Sequence, residues 1–264
     1  GMFGGPYADC NIDEDFNILD DYCLVTAMVD LWKVDIYRFL VPINIAFNQV
    51  WRVRPGDQAQ LMVLEFADDA GVNNAGGFQA DSVLFRGVNG VQWDGNAIAS
   101  TVVLDSTWFD YCTILDAEYG AYLTNVNPTS GDRLSIDHTT FDSCGVGIYA
   151  NTSRLYLNNS TITGSTGFGS VEGNGIYLTN CSSGKVIIED CVVSGNASST
   201  TKTGAGIYLS SSSPEIIWTT VQENAGAGIS CFSSTPDLDT YLVTDDQPNT
   251  IKENGSGTQT GSDG

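Results

Sequence analysis

Few residues in this 264-residue chain have the type and spacing to do chemistry, and they fall into three sets. The first is acidic. Asp9, Asn11, Asp13, Asp15, Asn17 and Asp20 stand at positions 1, 3, 5, 7, 9 and 12 of the stretch DCNIDEDFNILD. That is the ligand spacing of a calcium loop, in which oxygen donors gather around one Ca²⁺ at about 2.3–2.6 Å. Glu14 stands at position 6, where the sharp turn of such a loop wants glycine. The competing expectation is an acidic, solvated lead-in. The second set is cationic. Arg133, Arg154 and Lys185 hold one equivalent place in the similar segments RLSIDHTTF, RLYLNNSTI and KVIIEDCVV. Stacked on one face they would make a short basic ridge able to meet an anion. The plainer expectation is that each cation simply precedes a strand in solvent. The third set is aromatic. Tyr149, Tyr177 and Tyr208 each follow an isoleucine in the repeated run GIY. A row of exposed rings can lie against the apolar faces of sugar rings. Alternatively, stacked rings shelter one another as cross-strand pairs do.

Nucleophilic and acid–base catalysis find less support, and no catalytic residue is expected. The single histidine, His138, stands beside Asp137 without an evident nucleophile. No Ser-His-Asp or Cys-His set can be assembled around it. Asp68, Asp69, Asp137, Asp142, Glu189 and Asp190 lie next to apolar residues and read as solvated strand ends.

The totals narrow the partners. Lys and Arg number 10 against 32 Asp and Glu, a formal net charge of −22. Phosphate binding needs clustered cations, so nucleic acid is not an expected partner. An acidic polysaccharide would be repelled at long range, within the limits set by salt screening. No segment has the roughly 18 consecutive apolar residues that a membrane helix needs, so membrane insertion is not expected. Seven cysteines leave at least one thiol unpaired within the chain. Cys10 and Cys23 are close enough in sequence to suggest a pair. The other five fall in repeated units, where a buried thiol acts as a small hydrophobe.

The elements that would position these residues are visible as repeats. Leu134, Ile136 and Phe141 correspond to Leu155, Leu157 and Ile162, then to Val186, Ile188 and Val193, then to Pro214, Ile216 and Val221. The units are 21, 31 and 28 residues apart. A second signal follows in each unit: GVGIYA, GNGIYL, GAGIYL and GAGISC, with Ile148, Ile176, Ile207 and Ile229 in equivalent places. Glycine before a short alternating strand supports a sharp corner, and alternation sends apolar groups to one face. Such a unit cannot bury its apolar face alone, but stacked copies make a continuous core. The longer runs TGSTGFGSVEG and SGNASSTTKTG fall between the same two strands, so unit length varies in one loop. Asn196, Asn224 and Asn254 each come three residues after a core position, and are expected to stack and to tolerate left-handed backbone.

The chain resembles the pectin-lyase-like superfamily of right-handed parallel β-helices, and more narrowly the repeat proteins of bacterial secreted and surface type. The residues that carry the likeness are Arg54-Pro55-Gly56, Gly77 and Ala80 before Phe85, Val91 with Trp93, and the GIYL corners. The resemblance implies an all-β fold: a single-stranded right-handed parallel β-helix, or solenoid, over residues 40–255. Residues 1–39 form a short N-terminal cap, and residues 256–264 a flexible tail. Apolar residues at 18, 19, 22, 25, 28 and 31 allow an amphipathic helix in that cap, with a strand over Leu24–Val29 as the other option. The chain would then be a piece of a longer solenoid or a whole one.

The resemblance also implies a secreted or cell-surface protein with a structural, adhesive or glycan-binding role and no chemistry of its own. The alternative is a polysaccharide lyase or glycoside hydrolase, since the superfamily contains both. The family's Asn-Thr-Asp and Gly-His-Gly signatures do not occur in the chain. The expected partner is a polysaccharide or cell-surface glycan, and Ca²⁺ is the one cofactor suggested.

Overall fold

The computed structural model describes residues 90–100, 107–127, 133–168, 171–196, 204–238 and 248–255 throughout, together with 63–66 and 79–87. At other places from residue 17 onward it describes the backbone of short strands. The strands are two to eight residues long and join into three parallel sheets. Sheet A contains Thr113–Leu115, Thr140–Asp142, Thr161–Thr163, Val192–Ser194 and Thr220–Gln222. Sheet B contains Ala117–Thr124, Val146–Asn151, Ile176–Thr179 and Ile207–Ser210. Sheet C contains Trp108–Asp110, Leu134–Asp137, Leu155–Asn158 and Val186–Glu189. The chain visits A, B and C in turn, and each strand pairs with its equivalents one turn before and one turn after. This is an all-β parallel solenoid.

The expected columns are the observed registers. Leu134, Leu155 and Val186 pair in line, as do Phe141, Ile162, Val193 and Val221. Ile148, Ile176, Ile207 and Ile229 form a third column. Side chains alternate between core and surface along the sheet C strands Leu134–Asp137, Leu155–Asn158 and Val186–Glu189, as a pleat of period two requires. The core extends without a break from Leu64 to Val221. The two longer runs both lie between sheets A and B, where variable unit length was expected.

The turns between sheets are short because they use left-handed backbone. Fifteen described non-glycine residues have positive φ, and all of them fall in three columns. Asn125, Thr152, Asn180, Ser211 and Ser233 turn the chain from B to C, and Ser82, Tyr111, His138, Asn159, Asp190 and Trp218 turn it from C to A. Asp116, Ser143, Glu223 and Glu253 turn it from A to B, with Gly164 and Gly195 in the same column. Left-handed backbone costs a non-glycine residue roughly 1–2 kcal/mol. The stacked turns offset this, because the strained residue's N–H donates to a carbonyl one turn on, as from His138 to Asn158 at 3.2 Å.

The residue after each strained position points inward and bonds along the stack. Cys112 N–H donates to Thr139 Oγ1, and Thr139 N–H to Ser160 Oγ. On the B-to-C corner, Val126 N–H donates to Ser153 Oγ and Cys181 N–H to Ser212 Oγ. On the A-to-B corner the same place is held by asparagine: Ser165, Asn196 and Asn224 N–H donate to the Oδ1 of Asn196, Asn224 and Asn254. The asparagine stack is therefore present, but the expectation that it sits in left-handed backbone is corrected. Gly195, Glu223 and Glu253, one residue earlier, take that strain, because only an inward amide can reach the next turn's N–H.

This stack also explains one glycine column. A β-carbon on Gly206 would lie 2.6 Å from Asn224 Nδ2 and 2.8 Å from the Gly228 carbonyl oxygen. Gly175, Gly206 and Gly228 are needed for the close approach of the amide ladder, whereas Gly147 makes room for Ile162 and the Gly175 carbonyl.

A second correction concerns the N-terminal segment. The three sheets continue back to Asn17–Ile18 in A, Cys23–Val25 in B and Val29–Leu31 in C, each paired in parallel with a later strand. The amphipathic helix read over residues 18–31 does not hold at these strand residues. The apolar groups Cys23, Leu24, Val25 and Val29, Leu31 come in short clusters, each with a β-branched valine, which suit strands that pair on a ready edge better than a helix that must nucleate alone. The calcium-loop residues Asp9, Asn11, Asp13, Asp15 and Asp20, and Cys10, lie outside the described residues, as does the tail.

Candidate functional site: a tyrosine ladder and two charged columns

The last four residues of the sheet B strands Ala117–Thr124, Val146–Asn151, Ile176–Thr179 and Ile207–Ser210 alternate, so a residue between two core positions there faces outward. Tyr149, Tyr177 and Tyr208 stand between such positions and pair in register across three successive strands. Tyr122 joins the same column one turn earlier, paired with Tyr149. Ring centroids are 4.8 Å apart for Tyr122 and Tyr149, nearly parallel, then 5.3 and 4.9 Å for the next two pairs, edge to face. Tyr119 sits beside the column, 5.1 Å from Tyr122 and 6.0 Å from Tyr149. All five rings are half-buried. The rings thus shelter one another and still present an outer edge. None of the five hydroxyls has a hydrogen-bond partner among the described residues. By contrast, Tyr156 on sheet C donates to Glu189 at 2.7 Å.

The crowding changes the phenols. Burial, then the charge of Glu118 and the neighbouring Tyr122, pushes Tyr119 up to about 12. Burial and then the adjacent tyrosines raise Tyr149 and Tyr177 as well. A native state that holds its phenols neutral binds more protons than the unfolded chain, whose tyrosines ionise near 10.0. The stability this confers is fully present below pH 10 and is lost as pH rises toward about 12. Denaturant midpoints followed across that window should fall. A flat profile would show that the rings do not form one packed row.

The cationic residues also stack as expected. Leu134 N–H donates to the Arg154 carbonyl and Leu155 N–H to that of Lys185, which places Arg133, Arg154 and Lys185 on consecutive turns. They precede the strands of sheet C and are half-buried. Arg133 donates to the Gly184 carbonyl at 2.7 Å. The Nε atoms of Arg133 and Arg154 are shielded from solvent without a hydrogen-bond partner.

The opposite end of sheet C is acidic. Asp81, Asp110 and Asp137 pair in register, followed by Asn158 and Glu189. Asp137 lies four residues after Arg133, so about 13 Å of strand separates the acidic column from the basic one. The column of Arg133, Arg154 and Lys185 therefore does not meet the acidic column of Asp81, Asp110 and Asp137. The structure does bring His138 to the acidic column: Nδ1 is 3.1 Å from Asp137 Oδ1 and 3.4 Å from Asp110 Oδ1. The ring stacks on the exposed Tyr111 at 4.5 Å. Burial, and then Asp137, raise the Asp110 carboxyl above its ordinary value, while His138 acts the other way. Reading of the sequence named Asp137 and His138 but missed Asp110. The signal was there: Asp81, Asp110 and Asp137 each come one residue after the core positions Ala80, Phe109 and Ile136.

The buried cysteines carry no reactivity. Burial pushes the Cys112, Cys144 and Cys191 thiols up to about 12, so no thiolate forms near neutral pH. All three are free, as is buried Cys181, and they pack as small core residues.

Comparison with known families fits this geometry. Residues 71–260 match the model described as right handed beta helix region. The chain belongs to the right-handed β-helix family. No curated protein and no solved structure matches it. Membership of the β-helix family accounts for the stacked turns, inward ladders and outer columns. What the columns of this β-helix bind must be argued from their own chemistry.

Proposed function

We propose that this β-helix is a non-catalytic secreted or cell-surface module that binds a glycan along the tyrosine ladder of sheet B. One observation carries the proposal: five tyrosine rings form an outward row whose hydroxyls have no partner among the described residues. Rings kept only to cover a sheet need no hydroxyl, whereas a sugar-binding row uses the ring against C–H groups and the hydroxyl toward sugar oxygens. The row runs from turn to turn along the solenoid, which suits a linear polymer. The net charge of −22 favours neutral sugars over acidic ones at long range. The basic column at the start of sheet C is the natural contact for any acidic substituent.

Replacing Tyr177 with alanine is the direct test of one ring. The expected loss of stability is about 1–2 kcal/mol, because the half-buried ring makes two edge-to-face contacts. Affinity for a bound glycan should fall roughly tenfold, equivalent to about 1.4 kcal/mol. A variant that unfolds, or that binds unchanged, contradicts this assignment of the ring.

A second reading is favoured by one observation. Asp110 and Asp137 hold carboxylates on adjacent turns, with a histidine between them and the exposed Tyr111 alongside. Paired carboxylates about 5 Å apart are the equipment of a retaining glycoside hydrolase. Incubation with neutral and uronic polysaccharides, with and without calcium, separates the readings. The leading proposal expects no new reducing ends and no unsaturated products. Cleavage that disappears in Asp137→Asn would establish the hydrolase or lyase instead.

A further inference from the structure

We infer that Asp110, Asp137 and His138 form a binding site for one borderline divalent cation of the zinc type. Each residue offers one ligand atom, and the three atoms lie within 4.8 Å of one another. Geometry favours a small ion. A tetrahedral ion with bonds of about 2.0–2.1 Å needs its ligand atoms roughly 3.3 Å apart. His138 Nδ1 stands 3.1 and 3.4 Å from the two carboxylate oxygens.

Three further features point to a ligand there. Asp81, Asp110 and Asp137 are like charges stacked directly opposite on parallel strands, an arrangement that is destabilising without a counter-charge. Among the described residues no Lys or Arg pairs with any of the three. Asp110 Oδ1 is shielded from solvent, and the only side chain facing it as an ion-pair partner among the described residues is His138, itself one of the three proposed ligands. The surroundings also hold the ligands in place. Left-handed backbone at φ 44° and the stack on Tyr111 fix the imidazole. Asn158 Nδ2 at 3.2 Å and His138 N–H at 3.0 Å orient the Asp137 carboxylate, the support that metal-ligating carboxylates require.

The donor set chooses the metal. Imidazole suits zinc and its neighbours, whereas Ca²⁺ wants six to eight oxygens. The ion's role is structural: it neutralises the carboxylate stack at the C-to-A corner.

The test is titration of the full chain with Zn²⁺ alone, and separately with Ca²⁺, by calorimetry at neutral pH. His138 is the only histidine, so its imidazole signals in proton spectra report the site without ambiguity. The expected result is one Zn²⁺ bound with displacement of those signals, a raised melting temperature, and at least a tenfold weaker affinity in His138→Asn and in Asp110→Asn. Asparagine tolerates the left-handed backbone at 138, so His138→Asn keeps its fold if Asp110→Asn does not. Absence of saturable Zn²⁺ binding overturns the inference. So does binding that leaves the histidine signals unmoved or survives His138→Asn unchanged, which would place the ion at a cysteine or elsewhere.

Discussion

Replacing Asn224 with leucine should lower the unfolding free energy by about 3–5 kcal/mol, read as a shifted denaturant midpoint. Leucine matches asparagine in size, so the change removes hydrogen bonds rather than volume. Asn224 Oδ1 accepts from Asn196 N–H at 3.0 Å and from Asn196 Nδ2 at 2.9 Å. Asn224 Nδ2 donates to the carbonyls of Val193 at 3.1 Å and, on the next amide, to Asn254 Oδ1 at 2.8 Å. The residue is 1% exposed, so water cannot replace these partners. A buried group left without a partner costs about 1–3 kcal/mol, and the substitution strands the Asn196 N–H while removing the bonds to Asn196 Nδ2, the Val193 carbonyl and Asn254 Oδ1. A loss below about 1 kcal/mol would mean that the ladder adapts, with another group closing the gap.

Replacing Phe141 with alanine should cost about 3–5 kcal/mol, the range for deleting a fully buried aromatic ring. The neighbours cannot fill the space cheaply. Phe141 pairs with Ile114 on one side and Ile162 on the other, and strand pairing holds both in place. Its ring lies where a β-carbon on Gly120 would stand, 2.5 Å from Cδ1. The large residue on sheet A and the glycine on sheet B therefore complement each other. Solenoid turns contact only their neighbours, so the loss should appear first as local opening of the turns around residue 141. Hydrogen exchange should show those amides losing protection while distant turns keep theirs. Uniform loss across the chain would contradict this one-dimensional picture.

The parts of the fold that could be read from sequence are those set by period. The inward positions Leu134, Leu155 and Val186, and the isoleucines of the GIY runs, are apolar in every turn, and a sheet of stacked equivalents turns that recurrence into register. The outward tyrosines follow from the same alternation. The corners were harder to read, because left-handed backbone normally selects glycine or asparagine, yet Tyr111, His138 and Trp218 adopt it here. Stacking fixes their backbone from the turns on both sides, and that tertiary constraint leaves no mark on residue type. The acidic column shows the same limit. Asp110 was not among the carboxylates singled out in the sequence, and it joins the set only because sheet C places it directly over Asp137 and the corner swings His138 back toward both. The segment around residues 18–31 was ambiguous because short apolar clusters fit a helix or a strand, and the open edges of the next turn decide between them.

The most direct test of glycan binding is electrophoresis through gels containing single polysaccharides, neutral and uronic, comparing the native chain with the Tyr149→Ala/Tyr177→Ala double variant. The tyrosine ladder predicts that at least one polysaccharide retards the native chain, and that the folded double variant migrates freely in the same gel. Free migration of the native chain in every gel, or equal retardation of both proteins, would contradict a glycan-binding role for the row.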